Sequence, residues 1–80
     1  MKYENQTTLD YLIECGISYC CEYEGEYIVD VKTNDHDTLV WVVDKKTRIA
    51  KPTYVMDVLD IINEPNVKKL KDYSELKKAV

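Results

Sequence analysis

The chain of 80 residues has no phenylalanine, two glycines, two prolines, one histidine and no long apolar run. Each shortage removes a class of function. So little glycine leaves no glycine-rich phosphate loop or nucleotide cradle, and with so little proline it argues against long flexible linkers. There is no nucleophile elbow, no HExxH and no CxxC, so the ordinary catalytic and metal-binding motifs are missing and an enzyme is not expected. No apolar stretch approaches the ~18–20 residues of a membrane-spanning helix, and Glu4 and Asp10 bracket an opening too short and too acidic for a signal segment. Three cysteines cannot all pair with one another, and a bridge between adjacent Cys20 and Cys21 is strained. Free thiols in a reducing cytoplasm follow as the expectation. With phenylalanine missing, the aromatic set is seven tyrosines and Trp41. Tyrosine, with its apolar body and polar tip, suits a half-wet rim or an interface.

What is present reads as one globular domain over residues 1–80. The composition is 45% hydrophobic and 32% charged, unlike that of a disordered chain. A chain this short buries only ~60–65% of the surface its unfolded form exposes, so it holds a small core and no deep pocket. Its charge is divided. Residues 1–44 carry ten acids against Lys2 and Lys32, a net of −8, while residues 45–80 carry five acids against nine bases, a net of +4. Such a negative half steers cationic partners and repels nucleic acid and anionic lipid.

The periodicity predicts a helix over residues 7–15, capped by Thr7, carrying Leu9, Leu12 and Ile13 on one stripe and stopped by Gly16. Period-two alternation then predicts strands over 17–23 and 27–33. A three-residue loop, Glu24-Gly25-Glu26, would set Tyr23 opposite Tyr27, Cys21 opposite Val29 and Tyr19 opposite Val31. That register gathers the apolar residues on one face, and is preferred to a two-residue loop placing Tyr19 opposite Asp30. Leu39–Val43 is apolar on both sides, the mark of the strand with most neighbours, within a strand over 38–44. A short edge strand over 48–51 follows, ended by Pro52, with Thr53 capping a second helix over 54–62. The tail is lysine-rich, and Asp72 with Glu75 opens a last short helix with Leu76 and Val80 inward.

The fold class is therefore α+β: a three- to four-stranded antiparallel sheet with helices packed on one face, in the order α-β-β-β-(β)-α-α. Its expected core is Val29, Val31, Leu39, Trp41, Val58, Leu59 and Ile62, and Leu59→Ala is expected to cost ~2–5 kcal/mol. The double-stranded-RNA-binding domain shares the order α-β-β-β-α, but its second helix offers lysines to phosphate where this one offers Asp57 and Asp60.

Four constellations carry chemistry. Cys15, Cys20, Cys21 and His36 are zinc-type ligands, yet neighbours on a strand point to opposite faces, so buried thiols are the expectation and no metal or cofactor is assigned. Asp35-His36-Asp37 could titrate near neutrality, but a turn tip lacks a nucleophile or cleft. The lysines of the tail, Lys68, Lys69, Lys71, Lys77 and Lys78, could hold phosphate, making a nucleic-acid-binding module the alternative reading; acids interrupt them and no arginine joins them. The fourth is the hairpin, where Glu22, Glu24, Glu26 and Asp30 accompany Tyr19, Tyr23 and Tyr27. Acids with tyrosines make a surface that docks on a basic partner and imitates nucleic acid, or else a solvated edge. The leading expectation is a non-catalytic, cytoplasmic interaction or inhibitor module using that hairpin, with no membrane contact. In size, charge and element order the chain resembles small acidic α+β proteins of phages and mobile elements that block nucleases, including some anti-CRISPR and anti-restriction proteins. The resemblance is one of shape and assigns no residue.

Overall fold

The turn between the first two long strands sets the whole sheet. In the computed structural model, which describes residues 6–32 and 39–77, Glu24 (φ 46°) and Gly25 (φ 82°) form a two-residue turn with both φ angles positive. Such a turn twists in the same sense as the strands it joins. It pairs Tyr23 with Glu26, Cys20 with Val29 and Tyr19 with Asp30. The three-residue register predicted above is overturned. One extra residue at Ser18, between the pairs Ile17–Val31 and Tyr19–Asp30, bulges the strand and returns Ile17 to the face of Cys20.

The elements run β1 (Thr7–Thr8), α1 (Leu9–Cys15), β2 (Ile17–Tyr23), β3 (Glu26–Val31), β4 (Leu39–Asp44), β5 (Ile49–Tyr54), α2 (Val55–Ile62), β6 (Lys68–Lys69) and a 3₁₀ turn (Tyr73–Leu76). Among the described residues, six strands join one antiparallel sheet in the order β1-β5-β4-β3-β2-β6. The fold remains roughly α+β, but neither the three- to four-stranded sheet nor the order α-β-β-β-(β)-α-α holds. The shape resemblance to the small phage proteins loses its element order with it.

Each face of the sheet carries a core. On one, α1 and the tail enclose Leu9, Leu12, Ile17, Cys20, Val29, Val31, Val43, Ala50, Leu70 and Leu76. On the other, Val58 of α2 closes over Cys21, Ile28 and Val40, with Val55, Ile61 and Ile62 packed beside them. Alternate residues of β2, β3 and β4 thus serve two cores, which is why β4, between β3 and β5, is apolar on both faces from Leu39 to Val43. Helices on a single face are ruled out. A register chosen to gather apolar residues on one side fails for the same reason, because here the second side needs them too.

Thr8, not Thr7, caps α1: its Oγ1 accepts from the Tyr11 N–H at 3.3 Å, while Thr7 pairs with Ala50 of β5. Pro52 does not end the sheet. It lies inside β5 opposite Trp41, and among the described residues β5 is paired on its outer side only at Ile49 and Ala50. A residue without an N–H is therefore tolerated there. Thr53 is sheet, and α2 begins after Tyr54 with no side-chain cap. In the tail, Asp72 caps a short 3₁₀ turn with Leu76 buried as expected, but the turn ends at Leu76. Lys68 and Lys69 before it add an edge strand to β2, and Leu70 and Leu76 plug the first core. Of the expected core, Val29, Val31 and Val58 are buried, whereas Leu39, Trp41, Leu59 and Ile62 are half-buried. Val80 and Lys78 lie outside the described residues, as does the segment Asp35-His36-Asp37.

Candidate protein-binding surface

The hairpin residues singled out from sequence do not form one surface, because strand pairing sends them to both sides of the sheet. Glu22 and Tyr27 are register partners on the α1 side. There the Lys45 Nζ lies 2.9 Å from Glu22 Oε1 and 5.4 Å from the centre of the Tyr27 ring, and Lys68 stands opposite Glu22 on β6. The hydrogen bond from Lys45 lowers the Glu22 pKa and raises that of Lys45. Two cations of the chain itself thus answer this acid, in a solvent-exposed contact that water screens.

Tyr19, Tyr23, Glu26 and Asp30 share the α2 side, but at two ends of the hairpin. Tyr19 packs on the second core next to Cys21. Its hydroxyl is buried without a hydrogen-bond partner among the described residues, and burial drives its pKa well above the ordinary tyrosine value. Asp30 is half-buried opposite Tyr19, and its carbonyl accepts from the Ser18 hydroxyl at 3.1 Å. This pair belongs to the packed end.

At the turn end the acids stand open. Glu24 and Glu26 are exposed, and the Glu26 side chain makes no hydrogen bond or ion pair with another described residue. Tyr23 is half-buried, and the Glu24 carboxylate is the main cause of its raised pKa. Beside them α2 leaves part of the sheet uncovered. An open depression of about 350 Å³ is lined there by apolar Val42 and Ile49, by Glu26, Asp44 and Lys51, and by Gln6 and Thr47. Asp44 is the register partner of Glu26. Its Oδ1 accepts from the N–H groups of Lys46 at 2.7 Å and Thr47 at 3.0 Å, and these bonds lower its pKa.

Sequence reasoning missed Val42, Asp44, Ile49 and Lys51 as site residues. Their meeting with Glu26 depends on the β3–β4 pairing, whose register no local sequence signal declares.

The tail lysines are likewise dispersed. Lys68 and Lys69 pair with Glu22 and Cys21, whose side chains serve opposite faces, and Lys71 and Lys77 are exposed further along. Among the described residues no group of three His, Cys, Asp or Glu side chains is placed to hold a metal ion. Cys20 and Cys21 are both buried, on opposite faces, and burial pushes the Cys20 thiol up to about 12, far from a working nucleophile. No helix among the described residues is long and apolar enough to cross a membrane. Comparison with known proteins finds no family model, no curated protein and no solved structure that matches the chain.

Proposed function

We propose that this chain is a non-catalytic binding module that docks the turn end of its acidic hairpin on a basic surface of another protein. One observation carries the reading. Glu24 occupies a left-handed turn position (φ 46°) that favours Asn, Asp or Gly, and it and Glu26 stand exposed while Glu22 is answered by Lys45 and Lys68. An acid kept where the backbone disfavours it is better accounted for by a contact than by local stability. Tyr23, Glu24 and Glu26 are the contact residues. Glu22 and Tyr27 flank them on the other side of the sheet, and Tyr19 and Asp30 support the hairpin from its packed end. The basic surface in view is that of a nucleic-acid-handling enzyme, with the module as its inhibitor in the manner of phage or mobile-element proteins. Three free thiols suit a reducing cytoplasm.

The test matches charge and varies position. Glu24→Gln with Glu26→Gln removes two charges, as does Asp57→Asn with Asp60→Asn on the exposed side of α2. The first pair should weaken binding to fluorescent polylysine at low salt by roughly tenfold, and the second far less. Equal losses, or retention of the protein on heparin through the tail lysines, would replace this reading with general electrostatics or with phosphate binding.

A further inference from the structure

Resting on that docking reading, we infer that the depression beside the hairpin turn receives one arginine side chain of an extended basic segment of the partner. Glu26 and Asp44 are directly opposed across β3 and β4, so their Cβ atoms lie ~5 Å apart on one face. Like charges in that position repel unless a cation enters between them. Local hydrogen bonds hold Asp44 ionised, so protonation does not relieve the opposition near neutral pH.

The apolar part of the depression calls for a stem as well as a head. Ile49 is 39% exposed and Val42 half-buried, next to the two carboxylates. A ligand with an aliphatic stem ending in a cation covers both, as long basic side chains do on protein surfaces. The chain contains an instance of this chemistry in cis. Lys51 is the register partner of Val42, lines the same depression and helps lower the Asp44 pKa. It offsets one of the two acids, leaving Glu26 for a single incoming charge. A planar guanidinium, with several donors in a fixed fork, can bond carboxylates on neighbouring strands at once, which an ammonium does less well.

The probe is the blocked peptide acetyl-Gly-Arg-Gly-amide, titrated at low salt into ¹⁵N-labelled protein, with the citrulline peptide as the neutral isostere. Saturable shifts are expected at the amides of Glu26, Val42, Asp44, Ile49 and Lys51 with arginine and not with citrulline. Glu26→Gln should weaken binding about tenfold, and Lys51→Gln should tighten it a few-fold, on the order of threefold, by removing the cation already there. The spectrum of each variant reports whether it is folded. Equal shifts with citrulline, or shifts confined elsewhere, overturn the inference. If these amides stay silent while the Glu24/Glu26 pair still governs polylysine binding, the depression is wrong and the docking reading stands. If the wild-type protein ignores polylysine, both fall.

Discussion

Leu76→Ala is the substitution that weighs the new architecture most directly. Leu76 is 1% exposed, inside the core formed by α1, the sheet and the tail. Its carbonyl accepts from Arg48 Nη2 at 2.6 Å, and the same nitrogen lies 2.8 Å from Asp10 Oδ1. The backbone is thereby held in place and cannot readily collapse into the space a shorter side chain leaves. Burial of this kind sets the cost of a leucine-to-alanine change at ~2–5 kcal/mol. The whole domain has only ~4–12 kcal/mol, at the usual stability per residue. A loss near ~3 kcal/mol lowers Tm by on the order of 10–20 °C. Leu59→Ala should cost only about 1 kcal/mol, because Leu59 is half-buried and outside both cores. The assay is guanidinium unfolding followed by Trp41 fluorescence, with the slope unchanged if only the native state is affected. Leu76→Met, which keeps the volume, should lose less than ~1.5 kcal/mol. If Leu76→Ala costs no more than about 1 kcal/mol, the tail is not part of the core; if Leu59→Ala proves as costly as Leu76→Ala, the partial burial argued for Leu59 is wrong.

Other expectations follow from the turn, the carboxylates and the thiols. Glu24→Asn should raise stability by ~0.5–1 kcal/mol in thermal melts, because asparagine adopts the left-handed conformation more easily, and it should weaken polylysine binding. Gly25→Ala, at φ 82°, should lose ~1–2 kcal/mol in the same melts. Asp44 and Glu22 are stabilised in their ionised forms in the fold, so their contribution is full above the ordinary carboxylate range and fades as pH falls through their lowered pKa values. The stability gap between wild type and Asp44→Asn, read by denaturation from neutral pH to about pH 2, should therefore narrow toward acid; a widening gap would contradict it. A thiol reagent at mildly alkaline pH should leave buried Cys20 and Cys21 untouched in the native protein and label all three cysteines after unfolding. Rapid native labelling of Cys20 would show that its burial is misjudged.

Much of this fold was legible where a single local rule decides. Gly16 stops α1, the helix over 55–62 follows its apolar stripe, and doubly apolar β4 lies between two strands. What escaped was set by tertiary pairing. Lys68 and Lys69 have no apolar period at all, yet they form a strand because the edge of β2 accepts their backbone and Leu70 anchors them. Thr7 and Thr8 look like a helix cap, and one of them is, but both also pair with β5. The hairpin register went astray through a premise. Alternation assigns residues to faces only when one face is buried, and Cys20 with Cys21, or Ile28 with Val29, already put apolar neighbours on both faces. The candidate site was legible in its acids and Tyr23, and illegible in its division between two faces.

The division of charge along the chain also changes meaning once folded. A half with a net of −8 followed by a half with +4 suggests one negative pole and one positive pole. The sheet instead lays parts of the second half against the first. Lys68 meets Glu22 through β6, Lys45 reaches Glu22 from the β4–β5 turn, and Arg48 bonds Asp10 on α1. Each contact is weak on its own, since partly exposed ion pairs are worth little. Their joint effect is on where negative charge remains. Along the α1 side of the hairpin it is answered in cis, and at the Glu24–Glu26 turn it is not. A field concentrated at one end of the sheet orients an approaching cation more sharply than the same charge spread over a surface. Residues far from the hairpin in sequence thus shape the surface proposed to bind by cancelling the acids beside it.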